Sequence, residues 1–354
     1  RIADLVATRP FETLWGALGD YFRDPRLRQL FGRYATYCGA SPFAAPATLM
    51  LIAHAERAGV WRVRGGMYEL ALALERLGRD LGARHVYEAP VARLALRGDR
   101  VGGVVTEDGE HHEADVVIFN GDAAALMGGF LGEDACRALP GGRPPPRSLS
   151  AVTLTGRTRA AGFPLAHHTV LFSRDYEAEF REIDATGRPP RDPTVYVCAQ
   201  DRDDDGALLP GTDPDAERLL MLVNARADGD AQGYDEATIE KTREDLLCRL
   251  WKSGLALAPA DWTVTTPADF EAAFPATGGA LYGRAVHGFM ASFQRPAART
   301  RIPNLYLAGG SVHPGAGVPM VATSGRLAAA AALTDLASTS TSIATATSGG
   351  TSTG

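Results

Sequence analysis

The sequence predicts an α/β fold of α+β character, and three observations predict it. Apolar residues recur at helical spacing over the first sixty positions, short alternating runs of sheet type fill the middle, and a buried strand, glycine turn and alanine-rich helix follow near the carboxyl end. With 354 residues and 45% apolar content, the chain is long enough for two intertwined domains with sizeable cores.

Taken in order, Pro10 to Gln29 reads as helical, with Phe11, Leu14, Trp15, Leu18 and Phe22 at three- and four-residue steps. A second helical stretch runs from Arg26 to Tyr37, Pro42 and Pro46 break the pattern, and Ala47 to Ala58 forms a third. These stripes read as core packing; the alternative is that Phe43, Met50 and their neighbours line an apolar tunnel or a membrane-contacting mouth. Val60 to Val63 reads as a short strand, Gly65-Gly66 as a turn, and Met67 to Leu81 as an amphipathic helix with Leu70, Leu74 and Leu77 on one face. Strands are expected at His85 to Glu88, Ala89 to Arg97, Arg100 to Glu107 and Asp115 to Asn120. An antiparallel sheet is expected from Leu149 to Gly156, His168 to Ser173, Thr194 to Gln200 and Arg218 to Ala225, followed by a helix from Glu236 to Trp251. The Ser/Thr/Gly-rich tail from Ala337 to Gly354 cannot bury enough apolar surface to offset its ordering entropy and is expected to be disordered.

Composition and patterning exclude several classes. A net charge of −6 argues against a nucleic-acid surface. Cys38, Cys136, Cys198 and Cys248 are scattered without a CxxC pair, which reads as reduced thiols of a cytoplasmic protein, and no metal site is expected. No apolar run approaches the roughly 18 residues a membrane-spanning helix needs, and no signal peptide is visible. The run Asp203-Asp204-Asp205 lacks the ligand spacing of a calcium loop and reads as a solvated turn. His167 and His168, as neighbours on a strand, are expected to point to opposite faces, so that they cannot ligate one ion together; either one facing a cavity could donate a hydrogen bond to a substrate hydroxyl. No catalytic triad is visible, and no catalytic residue is assigned.

The most informative segment is NLYLAGGSVHPGAGVPMVATSGRLAAAAA, from Asn304 to Ala332. Leu305 to Ala308 reads as a buried strand, Gly309 and Gly310 as a turn, Pro314 to Pro319 as a second stiff loop, and a helix starts near Met320. Glycines let backbone N–H groups approach a ligand, and a helix N-terminus carries about half a positive charge, so this order of elements suits a bound anion or the polar edge of a flat ring.

This segment resembles the carboxyl-terminal flavin motif of the carotenoid (phytoene) desaturase family, in the FAD-dependent amine oxidase-like superfamily. Thr277 to Pro296, Arg33 to Leu74 and His167 to Phe180 resemble further parts of that family, most of all its bacterial branch of hydroxyneurosporene dehydrogenases, or 1-hydroxycarotenoid 3,4-desaturases. The resemblance covers nearly the whole chain except the tail. It implies a truncated Rossmann-like FAD-binding domain interleaved with a substrate domain that combines an antiparallel sheet and helices. Residues 1–59 would be the helical part of the substrate domain, 60–122 an FAD-binding segment, 123–280 the substrate domain with its sheet, 281–336 the carboxyl-terminal FAD-binding segment, and 337–354 the tail. The family's GxGxxG turn is absent and the sequence opens with RIADLVATRP without Met, so the amino-terminal FAD-binding unit is expected to be missing from this sequence.

By the same resemblance, FAD would be held by Val91, whose backbone would meet the adenine, by Asn120, and by Gly309, Gly310, Ser311, His313, Gly317, Val318, Pro319 and Met320. Val91 also fits an ordinary strand position, Asn120 to Asp122 a plain turn, and Ser324 either a cofactor contact or a helix residue bonded back to its own backbone. The implied activity is desaturation of an acyclic, 1-hydroxylated carotenoid by hydride transfer to the flavin. The implied location is cytoplasmic, on the surface of the inner (photosynthetic) membrane, with oxygen or a quinone as electron acceptor. A carotene cis–trans isomerase or a non-redox isoprenoid escort would use the same scaffold; an amine oxidase would need an aromatic cage, for which Tyr282 with Phe289 or Phe293 is a weak signal.

Overall fold

A computed structural model describes residues 7–141, 145–231 and 233–348. In chain order the helices are α1 (Leu14–Tyr21), α2 (Pro25–Gly32), α3 (Leu51–Glu56), α4 (Met67–Asp80), α5 (Ala123–Met127), α6 (Tyr176–Thr186), α7 (Glu236–Lys252), α8 (Pro267–Ala273) and α9 (Val318–Ser348). The strands are β1 (Val91–Arg97), β2 (Arg100–Thr106), β3 (His111–Glu113), β4 (Val117–Phe119), β5 (Ser150–Thr158), β6 (Ala160–Ala161), β7 (His168–Leu171), β8 (Val195–Ala199), β9 (Glu217–Ala225), β10 (Ala256–Leu257), β11 (Thr263–Thr265) and β12 (Leu305–Leu307).

The chain divides into two compact units. One comprises Arg1–Tyr87, Arg147–Leu281 and Ala285–Phe289; the other comprises Glu88–Pro146, Tyr282–Arg284 and Met290–Gly354. The first unit is built on a five-stranded antiparallel sheet in the order β11-β5-β9-β8-β7. β5 and β9 pair continuously from Ser150↔Ala225 to Thr158↔Glu217, and along β9 burial alternates from Glu217 to Val223, so every second side chain enters the core. Val152, Leu154, Val197, Met221 and Val223 pack there against Leu246 and Leu250 of α7, each contributing about 1.5–3 kcal/mol by leaving water. Helix α7 starts where the Asp235 carboxylate accepts from the Thr238 N–H at 2.8 Å. Tyr176, Phe180 and Ile183 of α6 form a second cluster with Trp15 and Phe43, whose rings lie 4.8 Å apart.

The helical reading of Pro10 to Gln29 needs correction. Phe22 leaves α1 in an extended conformation, Asp24 is extended as the residue before a proline tends to be, and Pro25 occupies the first turn of α2 with Asp24 accepting from the Arg26 N–H. One expected helix is therefore two. The stretch from Arg26 to Tyr37 ends as a 3₁₀ turn over Arg33–Cys38, and that from Ala47 to Ala58 opens with another over Ala47–Met50. Val60 to Val63 and His85 to Glu88 are not strands, because neither stretch finds a ladder partner among the described residues. Helix α4 forms as expected but buries none of its residues.

The second unit holds the antiparallel sheet β1-β2-β3 and the parallel pair β4 and β12, registered Leu305↔Val117 to Leu307↔Phe119. Its core gathers Leu126, Leu131, Ile302, Leu305, Leu307 and Val312. Helix α9 lays Ala328, Ala331 and Ala332 on Tyr306 and Ala308; alanines allow the helix to approach the strand closely. The unit boundaries, at Tyr87/Glu88 and Pro146/Arg147, lie away from those expected at 59/60 and 122/123.

The tail reading also needs correction over its first part. α9 continues through the Ser/Thr-rich stretch from Ala337 to Ser348. Near the start of that stretch the Thr334 and Ser338 hydroxyls donate to carbonyls one turn back, at 2.8 and 2.9 Å, and leave the helix backbone intact. Residues 349–354 of the expected tail lie outside the described residues. Among the described residues no helix is long and apolar enough to cross a membrane.

Candidate functional site

The site is built in the second unit from the ends of the two parallel strands. β4 and β12 run side by side, so the residues after Phe119 and Leu307 emerge together; the Ala308 N–H donates to the Phe119 carbonyl at 3.0 Å. Asn120 then lies against Gly309. A side chain at Gly309 would place its Cβ 2.7 Å from Asn120 Oδ1, and the backbone there has φ +116°, so the position admits glycine alone without strain. The Gly309 N–H donates to Ser324 Oγ at 3.1 Å, and Ser324 is fully buried in α9. The Ser324 oxygen thus holds the glycine turn.

Ser311 closes the loop onto the other strand end. Its Oγ accepts the Ala123 N–H at 3.2 Å, at the start of α5, while the Asp122 carboxylate caps the same helix through the Ala124 N–H at 2.8 Å. Gly283 crosses this contact so closely that a Cβ there would stand 2.8 Å from that of Ser311.

One residue that holds the loop escaped sequence reasoning. Arg295 is 6% exposed. Its Nη1 donates to the Gly310 carbonyl at 2.7 Å and to that of Tyr282 at 3.2 Å; Nη2 donates to Tyr282 at 3.2 Å and to Arg284 at 3.1 Å. The guanidinium's fixed fork thus gathers three carbonyls from two chain segments. The only signal available in the sequence was an arginine before Pro296 in the segment with the family resemblance, and nothing local distinguishes it from a solvated one.

Past Val312, which is buried, the His313–Pro314 peptide is cis, and the His313 N–H donates to the Pro296 carbonyl at 2.9 Å. Gly315 has φ +131°, with its Cβ position 3.3 Å from Arg295 Nε. Gly317 has φ +107° with nothing within 4 Å of where a Cβ would stand, and its carbonyl accepts the Val321 N–H at 2.9 Å, making it the cap of α9. Val318, Pro319 and Met320 follow as the exposed first turn, at the end where the helix amides point outward.

The structure therefore places Gly309, Gly310, Ser311, His313, Gly317, Val318, Pro319 and Met320 in one continuous loop and helix start, with Asn120 against Gly309 from the end of β4. Val91 stands apart from these contacts: it opens β1, paired with Thr106 in the three-stranded sheet, and is partly exposed.

The histidine reading is corrected. His167 lies in a backbone bend before β7 begins, so strand alternation does not govern it, and its ring meets that of His168 edge-on at 4.4 Å between centroids. Both rings lie on the same side as Cys198, with one ligand atom from each of the three residues within 4.8 Å of the others.

A parallel strand pair ending in a glycine turn and feeding a helix N-terminus is the kind of place where α/β folds bind ligands, outside the carboxyl ends of their strands. The family of flavin-containing amine oxidoreductases matches residues 15–333, and this chain belongs to it. It is 49% identical over 351 residues to the hydroxyneurosporene desaturase of Rubrivivax gelatinosus, covering 99% of this chain and 66% of that protein. With the hydroxyneurosporene desaturase of Cereibacter sphaeroides it shares 48% over 336 residues, covering 94% and 66%. The chain thus spans just under two thirds of the length of these relatives. Among solved structures, an oxidoreductase from Methanosarcina mazei aligns with a TM-score of 0.54 at 16% identity, covering 91% of this chain and 70% of that one. Putrescine oxidase bound to putrescine aligns at 0.53 and 15%, covering 93% and 68%. At such identities these two establish the fold only.

Proposed function

We propose that this chain serves the FAD-dependent desaturation of an acyclic, 1-hydroxylated carotenoid. The observation that carries the proposal is the loop from Gly309 to Met320, taken with the similarity to relatives named as hydroxyneurosporene desaturases. The loop suits a flavin. Beside Gly317 the backbone is bare and unobstructed, as close approach of a flat ring requires, and the exposed amides at the start of α9 suit an electron-rich ring edge or a phosphate. Gly310, Ser311, Gly317, Val318, Pro319 and Met320 would hold the group, with Asn120 and His313 beside them and Val91 at the adenine.

The chemistry a bound flavin supplies is acceptance of a hydride from an allylic C–H, with loss of the neighbouring proton, so that the polyene gains one double bond. The protein's part is positioning and exclusion of water. In the first unit a cavity of about 600 Å³ is walled by Phe43, Leu149, Phe180 and Ile183 and also offers Asp228 and His287. Its lining also carries Arg147, Glu177, Arg181, Asp184, Arg226 and Asp230, so it suits the hydroxylated end of such a substrate rather than the length of its polyene.

Such a substrate resides in lipid, which supports docking at the surface of the inner membrane from the cytoplasmic side. Exposed Phe11 and Phe289, with rings 4.8 Å apart, and exposed Trp61 are available in the first unit for shallow insertion. Electrons would leave to oxygen or to a membrane quinone.

The test is expression of the full-length gene in cells that accumulate an acyclic 1-hydroxycarotenoid. A pigment lighter by two hydrogens and shifted to the red is expected. A pigment of unchanged mass with altered geometry would point to isomerisation, and untouched pigment beside a protein that carries flavin would overturn the desaturase reading.

A further inference from the structure

We propose that His167, His168 and Cys198 form a zinc-binding site on the first unit, with the imidazole Nε2 atoms and the cysteine sulfur as ligands and a fourth position open to water. The argument starts from protons. His167 Nδ1 lies 2.9 Å from the Arg202 carbonyl, which can only accept, so the proton is on Nδ1 and the lone pair is on Nε2. His168 Nδ1 lies 2.7 Å from the Tyr196 hydroxyl. A hydroxyl accepts as well as donates, so Tyr196 can accept from His168 Nδ1–H, which leaves the second Nε2 free as well. Each histidine thus has the outer hydrogen bond that metal-ligating imidazoles use to fix ring and tautomer.

The geometry agrees. His168 and Cys198 are directly paired across β7 and β8 and share a face, and the bend at His167 turns its Nε2 to 3.9 Å from Cys198 Sγ. Zinc bonds of about 2.0–2.1 Å to nitrogen and 2.3 Å to sulfur place tetrahedral ligands about 3.5 Å apart. One ligand atom from each residue lies within 4.8 Å of the others, and side-chain rotation brings the three ligands to that spacing. Two imidazoles and a thiolate match zinc rather than magnesium or calcium, and exposed His168 leaves an entry path. The charges around the site are Arg62, whose guanidinium donates to the same Arg202 carbonyl at 2.8 Å, and the carboxylates of Glu56 and Asp204, which offset it. Zinc here ties the edge strand β7 and its preceding bend to β8.

The test uses the purified full-length protein stripped with a chelator and titrated with cobalt(II), then with zinc. One equivalent of cobalt is expected to give a thiolate-to-metal charge-transfer band that zinc abolishes; Cys198→Ser removes the band, and His168→Ala weakens binding at least tenfold. Alkylation of Cys198 in the unaltered protein provides a readout independent of variant folding. Zinc is expected to slow it at least tenfold while leaving exposed Cys136 and Cys248 unaffected. Absence of the band, its survival in a folded Cys198→Ser protein, or alkylation indifferent to zinc would overturn the site.

Discussion

Replacing Arg295 by methionine keeps most of the side chain's length and bulk and removes only its fork of donors. Four N–H···O contacts to the carbonyls of Gly310, Tyr282 and Arg284 are lost, at distances from 2.7 to 3.2 Å. A hydrogen bond from a charged donor contributes about 1.5–3 kcal/mol. Contacts that share one guanidinium do not add in full, and the relaxed carbonyls recover some water, so a net loss of about 3 kcal/mol is expected. That corresponds to roughly a hundredfold in an equilibrium constant. Because the bonds converge on the loop proposed to hold flavin, flavin retention should fall first. The assay is flavin absorbance per chain after gel filtration, followed by urea unfolding. Arg295→Lys, with one compact ammonium, should fall between wild type and Arg295→Met. An Arg295→Met protein with full flavin content and an unchanged urea midpoint would refute the claim that this fork holds the loop.

The remaining predictions concern neighbouring contacts and one buried acid. Gly309→Ala drives a Cβ to within 2.7 Å of Asn120 Oδ1 at φ +116° and should cost about 2 kcal/mol in urea unfolding. Gly317→Ala meets no atom and carries only the strain of φ +107°, about 1 kcal/mol; its larger effect should be on flavin retention, read by equilibrium dialysis. Ser324→Ala leaves the Gly309 N–H without its acceptor and should cost about 1–2 kcal/mol in the same unfolding assay. Burial raises the Glu179 carboxyl above its ordinary range, against the opposing hydroxyls of Thr194 and Ser173. The folded state therefore binds this proton more tightly than the unfolded state, and stability falls as pH rises from the ordinary glutamate range through the raised value. Unfolding of Glu179→Gln across that window should lose this slope; an unchanged slope would assign it to another group.

Much of the fold was legible because it rests on periodicity. The alternation along β9 and the stripe over α7 are visible in the letters and recur in the burial of Leu219, Met221, Leu246 and Leu250. What failed were short runs without such support. Val60 to Val63 has the composition of a strand but no ladder partner, and strand pairing depends on distant segments that a four-residue window does not contain. The loop from Gly309 to Met320 was legible because glycine and proline restrict the backbone locally. Arg295 was not, since its role exists only once residues 282–284 and 310 fold around one guanidinium. The histidine pair was misjudged for a related reason: alternation holds inside a strand, and His167 sits one residue before it.

The loop's polar atoms separate into two sets, and this separation constrains how a ligand can be held. Ser311 Oγ, the Gly309 N–H, the Gly310 carbonyl and the His313 N–H are all engaged by the protein itself, by Ala123, Ser324, Arg295 and Pro296 respectively. These atoms shape the turn on which a bound group would rest. The surface left over is the bare backbone at Gly317, the exposed first turn from Val318 to Met320, and the exposed His313 side chain. Substitutions in the first set should therefore lower stability and flavin affinity together, through a displaced loop. Substitutions in the second set should lower affinity while the urea midpoint stays put. A His313→Ala protein that unfolds early, or a Ser324→Ala protein of full stability that has lost its flavin, would reverse this assignment and make the turn itself the ligand surface.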